Sequence, residues 1–357
     1  MEEIVVPPIP DNARGPKVPP CGYFVEEVKG GVHWVTDGGY QCAFVVCENE
    51  VVAIDAPPSI GPLVTRAIRD VTAKPITHVV YSHYHGDHIG TCDQFPDDAV
   101  RIGQQETYTL LEELDDPARR LPDVTFQDHL RLEVGGQTID LHYKGANHAP
   151  GNSFIHLPEH KVLMLVDVIY PGWVPFANIA MSKHIPGFLD HHDKTLEFDF
   201  EKMITGHLTR LGTRQDVLTQ REYMADIVDA AQHALELTEV KRDLARAQVG
   251  RENLYVYFKT MYDAAAAEAA QPVLKKWSGR LGGVETFAVN HTFIMYQSLR
   301  LDSNRKPFVI FLPPEEGAAE QAPAPDAHAH CDHSADHSAA HSTAHSTDHS
   351  AAHSGAH

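Results

Sequence analysis

The stretch Ser82-His83-Tyr84-His85-Gly86-Asp87-His88 decides how the rest of the chain reads. It has the form H-x-H-x-D-H and puts four metal-ligating side chains within six positions. Side chains alternate along an extended segment, so His83 and His85 point to one side and can grip one ion. Asp87 and His88 lie just beyond, where Gly86 frees the backbone to turn, and can face a neighbouring ion. Neutral imidazole and carboxylate are ordinary zinc ligands, at ~2.0–2.2 Å. Immediately upstream, Thr77-His78-Val79-Val80-Tyr81 reads as a short buried strand leading into the motif.

Strand-like segments continue outward on the N-terminal side: Tyr23-Phe24-Val25, Val32-His33-Trp34-Val35, Ala43-Phe44-Val45-Val46 and Val51-Val52-Ala53-Ile54. Gly30-Gly31, Asp37-Gly38-Gly39 and Glu48-Asn49-Glu50 separate them as turns between antiparallel strands. Leu63, Val64, Ala67, Ile68 and Val71 recur at helical spacing. On the C-terminal side, Leu130 to Val134 and Thr138 to Tyr143 predict a hairpin. Ser153 to Leu157 and Lys161 to Val166 predict another, turning at Pro158-Glu159. Two sets of strands with interspersed helices predict two packed sheets covered by helices.

From Arg214 the pattern turns helical, with Val217, Tyr223, Ile227, Ala230 and Ala234 at three- to four-residue steps. Tyr255 to Trp277 and His291 to Leu299 read the same way. After Pro313 the composition collapses to Ala, Pro, Glu, Ser and His, and a histidine recurs every fourth residue from His333 to His357. Such a stretch cannot bury a core and is expected to be disordered when free of metal. The organisation expected is a proline-rich arm at 1–20, a catalytic domain at 21–212, a helical extension at 213–312 and a histidine-rich tail at 313–357.

The chain has 357 residues, 43% of them hydrophobic, with 49 acidic against 29 basic side chains and a net charge of −20. That charge disfavours nucleic acid, whose binding rewards Lys and Arg clusters. The basic stretch Lys241 to Arg251 reads as the solvated face of a helix. No signal peptide is visible after Met1, and no apolar run approaches the ~20 residues of a membrane helix. Five cysteines without a C-x-x-C pair fit reduced thiols, and the localisation expected is cytoplasmic.

The order of motifs resembles the metallo-β-lactamase-fold superfamily over roughly residues 22 to 210. Val51-Val52-Ala53-Ile54-Asp55-Ala56 resembles the family's strand ending in Asp. Gly145-Ala146-Asn147-His148-Ala149-Pro150-Gly151 resembles the segment supplying the third histidine. Leu163-Met164-Leu165-Val166-Asp167 resembles the strand with the bridging Asp, and Ile204-Thr205-Gly206-His207 the strand ending in the last histidine. The resemblance implies an α/β, four-layer αββα sandwich with the metals at one sheet edge. It implies His83, His85 and His148 on a first ion, Asp87, His88 and His207 on a second, and Asp167 between them. Asp167 resembles the lactonase, glyoxalase-like and phosphodiesterase-like members rather than the β-lactamases proper, which have Cys or Ser there.

Each downstream position has competitors: His142, His156 and His160 for His148, and His184, His191 and His192 for His207. Asp167 follows a wholly apolar strand, where a lone carboxylate is expensive to bury unless it meets a cation; a helix N-cap is its other reading. Asp55 is read either as a residue orienting a ligand histidine or as a plain turn aspartate.

The function expected is hydrolysis of a small ester, lactone or amide by a metal-bridging hydroxide. The cofactors expected are two zinc ions, with manganese or iron as substitutes. Asp87 is the candidate proton relay. Tyr170, in Tyr170-Pro171-Gly172-Trp173-Val174-Pro175-Phe176, is the candidate to touch an oxyanion, in a loop that could wall an apolar pocket or simply pack. The alternatives are an iron-dependent oxidoreductase on the same fold and metal storage or delivery through the tail. The partners expected are a small-molecule substrate, optionally a second copy in a homodimer, and extra metal ions on the tail, with no nucleic acid and no membrane.

Overall fold

The strand Val51–Ile54 sends alternate side chains into two different cores. Val52 and Ile54 join Val32, Trp34, Val45 and Val80 on one side, while Val51 and Ala53 join Val35, Phe44 and Val79 on the other. A strand buried on both faces reads as a continuous apolar run, which is why this segment stood out. The computed structural model describes residues 6–302 of the chain. The tail expected at 313–357, with its extra metal ions, lies outside the described residues.

The first sheet runs in sequence order: β1 (Phe24–Lys29), β2 (Val32–Thr36), β3 (Gln41–Val46), β4 (Val51–Ile54), β5 (Ile76–Val80), β6 (Val100–Gln104) and β7 (Val124–Phe126). Its pairings are antiparallel from β1 to β4 and parallel from β4 to β7. The second comprises β8 (His129–Val134), β9 (Gln137–His142), β10 (Phe154–Leu157), β11 (Val162–Met164) and β12 (Lys202–Ile204), in the order β12-β11-β10-β9-β8. Only β11 and β12 pair in parallel there.

Between the sheets, Val52, Ile54 and Trp34 meet Ile139, Leu141, Ile155 and Met164. Behind the first sheet lies the helix Leu63–Val71, which buries Val64, Ala67 and Ile68. Behind the second, Leu163 and Leu165 alternate with Val162, Met164 and Val166 and face Phe188, Tyr223 and Trp277 of the helices. The expected four-layer αββα arrangement with a helical C-terminal part is therefore the one found.

Several boundaries differ from the sequence reading. Strand β1 extends to Lys29 because an edge strand tolerates charges such as Glu26 and Glu27, which hide its alternation. Strands β6 and β7 and the helix Gln105–Leu114 add to the elements that the sequence pattern predicts. Tyr255 to Trp277 is two helices, Leu254–Ala269 and Gln271–Trp277. Pro272 causes the break, since proline suits a first helical turn and not an interior. The N-terminal arm is anchored as well as extended. Ala13 is buried, and its carbonyl accepts from Trp173 Nε1 at 3.3 Å. Gly172, at φ +79°, is needed here, because a Cβ would stand 2.5 Å from Ala13 Cα.

No helix among the described residues is long and apolar enough to cross a membrane. The four described cysteines, Cys21, Cys42, Cys47 and Cys92, are all free thiols.

Candidate metal centre

Four strand ends meet at one edge of the sandwich. Asp55 follows β4, His83 follows β5, Asp167 follows β11 and His207 follows β12. Asp55 and Asp167 both leave their strands in the left-handed region, at φ +61° and +63°, which asparagine and aspartate tolerate better than other side chains. Gly206 is required where it stands. Its φ is +83°, and a Cβ would sit 2.5 Å from Val166. Only there can β12 turn and present His207 beside Asp167.

The motif loop combines two backbone forms. His85 is extended and caps the helical turn Gly86–Ile89, so the chain changes direction between the two pairs of ligand-type side chains. Gly86 does not sit at positive φ, and a Cβ there would meet only Arg119, at 3.6 Å. The turn comes from the helical start rather than from glycine's freedom. Asp55 Oδ1 accepts from Ser82 N at 2.8 Å, and Ser82 Oγ lies 3.0 Å from His83 Nδ1, leaving Nε2 of His83 to face inward. Asp55 thus positions the loop through its backbone rather than by gripping an imidazole. Burial raises its carboxyl to about 6.

The expected residues come together as two groups that share Asp167. One is His83, His85, His148 and Asp167; the other is Asp87, His88, Asp167 and His207. Oδ2 of Asp167 lies 3.6 Å from His83 Nε2 and 3.2 Å from His148 Nε2. Oδ1 lies 2.9 Å from His207 Nε2. His148 Nε2 is 2.9 Å from His85 Nδ1, and His88 Nε2 is 3.2 Å from His207 Nε2. Tetrahedral bonds of ~2.0–2.2 Å set neighbouring donors ~3.3–3.6 Å apart. The donors are spaced as ligands of a common cation are.

Chemistry points the same way. Asp167 is buried and meets imidazoles rather than a lysine or arginine. An isolated carboxylate in such a place is costly. His83 Nε2 and Asp167 Oδ1 are buried without an aligned hydrogen-bond partner. Burial drives His83 well below the usual histidine range, and lowers His85 to about 4. Burial alone would lower His88 too, but the Asp167 carboxylate holds it up at about 9. Burial would raise Asp167, yet His88, His148 and His207 keep it well below the carboxylate range. Mostly neutral imidazoles around an ionised carboxylate are a donor set suited to a divalent metal.

The competing histidines face elsewhere. His156 Nε2 bonds Asp199 O at 3.0 Å and His160 Nε2 lies 2.6 Å from Gln137 Oε1. His184 Nδ1 caps the helix Ile185–Leu196 by accepting from Gly187 N at 2.9 Å, and His191 and His192 bond carbonyls within that helix. His142 stacks on His129, and Asp140 beside them already holds Arg131 through both oxygens at 2.8 Å.

Above the centre opens a cavity of about 590 Å³. Asp87, His148, Asp167 and His207 form its floor, and Tyr170, Trp173, Val174, Phe176 and Phe287 its walls. The loop after Asp167 therefore lines a pocket, with the buried Tyr170 ring 6.2 Å from that of His207. Sequence reasoning missed Tyr40, whose ring lies 4.4 Å from His207 and whose hydroxyl donates to Asp87 at 3.4 Å. Burial and Asp87 raise that phenol to about 12. A tyrosine after Gly38-Gly39 carries no signal beyond a turn.

One wall is unusual. Asn178, Ile179, Ala180 and Met181 sit in succession at φ +57°, +53°, +56° and +53°, a left-handed turn without glycine. Each such residue costs roughly 1–2 kcal/mol.

Residues 37–207 match the profile of the Metallo-beta-lactamase superfamily. The chain carries a metallo-beta-lactamase superfamily domain. The domain is 27% identical over 195 residues to the 2,4-dinitroanisole O-demethylase subunit alpha of Nocardioides sp. (strain JS1661), covering 53% of this chain and 59% of that one. It is 30% identical over 128 residues to the Uncharacterized protein YobT of Bacillus subtilis (strain 168), covering 31% of this chain and 54% of that one. The chain spans less than two-thirds of the length of these relatives. Among solved structures, a metallo-beta-lactamase from Pontibacter korlensis is 17% identical with a TM-score of 0.47, over 56% of this chain and 97% of that one. The DIM-1 metallo-beta-lactamase is 18% identical with the same TM-score, over 58% of this chain and 97% of that one. The superfamily's members are mostly hydrolytic enzymes that bind divalent metal ions.

Proposed function

We propose that this metallo-beta-lactamase superfamily domain is a dinuclear zinc hydrolase acting on a small, uncharged, partly apolar ester, lactone or amide. His83, His85 and His148 would hold one ion, Asp87, His88 and His207 the other, and Asp167 would touch both. The observation that carries the reading is the sharing of Asp167 by two donor groups: Oδ2 lies between His148 of one and His88 of the other, and Oδ1 lies beside His207. Divalent ions bound there supply activated water at neutral pH and polarise a substrate oxygen.

The chain's own residues account for the rest. Asp87, exposed at the cavity floor and accepting from Tyr40, is placed to pass a proton to a departing group. Tyr170 stays protonated, because burial pushes its phenol well above its usual range, and so can only donate to an oxyanion. Aromatic walls exclude water and favour an apolar group.

A second reading rests on the relative named as a 2,4-dinitroanisole O-demethylase subunit and on the same aromatic walls: hydrolysis of an activated aryl ether. The test is a screen of lactones, aryl esters, β-lactams, phosphodiesters and nitroaryl methyl ethers against zinc, manganese and iron forms of the chain. Metal content is read against the Asp167→Ala variant, so that any metal taken by the tail's histidines cancels. Turnover of an aryl ester, lactone or amide by the zinc form, with metal lost in the variant, is expected. Equal metal content in both, or iron with oxygen uptake, would overturn the reading.

A further inference from the structure

The cavity draws one wall from outside the region that carries the metal-type residues. Gly283 and Phe287, at the start of the helix Val284–Leu301, line it together with Phe176 and with Ala180 and Met181 of the left-handed turn. A run of left-handed residues persists only where its surroundings over-determine it, and β-branched Ile179 is the least suited of the four. The surroundings here are specific. Asn178 N donates to Asn290 Oδ1 at 2.6 Å, and Asn290 Nδ2 donates back to Asn178 Oδ1 at 2.8 Å. One residue on, His291 Nε2 donates to Phe176 O at 3.1 Å while its Nδ1 accepts from Tyr223 at 2.8 Å.

The other end of the segment is tied to the metal-type residues. Lys183 N donates to His148 O at 2.8 Å and His184 N to Asn147 O at 3.1 Å. Ile179 and Ala180 are buried, Phe176 and Met181 are each 55% exposed, and all of these but Ile179 line the cavity. The strained turn thus bridges the helical extension and the His148 loop, and it forms part of the cavity wall through Ala180 and Met181.

We propose that the left-handed turn Asn178–Met181 is the specificity-determining wall of this site, held in place by Asn290, and that it admits flat, uncharged aromatic groups. This rests on the hydrolase reading for the reaction but not for the wall. Trp173, Phe176 and Phe287 line the cavity, aromatic rings pack favourably against such side chains, and about 590 Å³ takes one substituted aromatic with its reacting carbonyl at the floor. Asn178 and Asn290 touch no substrate; they are positioning residues.

The experiment uses the full chain loaded with zinc. Binding is followed with the neutral fluorophore N-phenyl-1-naphthylamine, and turnover with p-nitrophenyl benzoate against p-nitrophenyl acetate. Asn290→Ala is expected to weaken the probe about tenfold and to raise KM for the benzoate by a similar factor, with kcat for the acetate little changed. Asn290→Asp should restore most of the loss, since its carboxylate still accepts from Asn178 N and, once the Asn178 amide flips, from its Nδ2. Should Asn290→Ala fail to fold, Asn178→Gly serves, because glycine keeps φ near +57° without strain while removing half the clamp; a several-fold weakening is expected. Probe affinity and ester preference unchanged in the folded variants would overturn the proposal, as would a wild-type chain that does not bind the probe. A wild-type chain that binds the probe but hydrolyses neither ester would overturn the hydrolase reading and leave the wall standing.

Discussion

His88 and His207 face each other nitrogen to nitrogen, Nε2 to Nε2 at 3.2 Å, across 119 residues of sequence. Two lone pairs so placed repel unless a proton or a cation lies between them. Asp167 stands beside both, 3.0 Å from His88 and 2.9 Å from His207. Asparagine at position 167 keeps the volume but loses the negative charge and one of the two acceptor oxygens, so it holds a pair of cations poorly. Asp167→Asn is expected to lose about half of the metal of the folded domain and on the order of 100-fold or more in turnover. Elemental analysis with kinetics checks this, and full activity would contradict a shared Asp167.

The Ser82 hydroxyl holds His83 at Nδ1, 3.0 Å away, in a fully buried pair. Its removal leaves the imidazole free to rotate and that nitrogen without a partner. Ser82→Ala should weaken metal binding by roughly 10–100-fold. Competition against a calibrated zinc chelator measures it, with circular dichroism to show that the fold is retained.

Met181 has φ +53° and a half-exposed side chain, so its backbone strain can be separated from its burial. Alanine and glycine at 181 both delete the side chain, but only glycine relieves the left-handed penalty. Met181→Gly should exceed Met181→Ala in stability by about 1 kcal/mol, read from urea midpoints. Equal stability would mean that the turn is not strained at this residue.

His291 is buried between Tyr223 and the Phe176 carbonyl, and burial lowers it to about 4; His191 and His192 are lowered to about 4 in the same way. In the unfolded chain each titrates near 6.5. Between those values the unfolded state binds the protons that the native state refuses. Stability is therefore complete above pH ~6.5 and is lost as pH falls toward 4, by roughly 3 kcal/mol for each of the three at the limit. Urea unfolding from pH 7.5 to 4.5 should show the fall. His291→Gln, which keeps a donor and an acceptor but does not titrate, should make it shallower.

Much of the centre was legible because metal ligands are drawn from few residue types and four of them, His83, His85, Asp87 and His88, fall within six positions. The apolar strands β4 and β11 were legible for a related reason. Burial on both faces leaves an unbroken run of Val, Ala, Ile, Leu and Met. Strands β6 and β7 carry Arg101, Gln104 and Thr125 within them, and their type is set by neighbours in the sheet rather than by their own composition.

The sequence by itself determined which side chains could serve a metal and which strands had to be buried, since both follow from residue chemistry and short-range repetition. Only the tertiary structure decided that His207 rather than His191 or His192 stands beside Asp167, that Tyr40 leans on His207, and that a helix some 140 residues beyond His148 closes the cavity through Asn290 and Phe287. Those relations are contacts between segments far apart in the chain. They depend on how sheets and helices stack, and no local run of residues encodes that geometry.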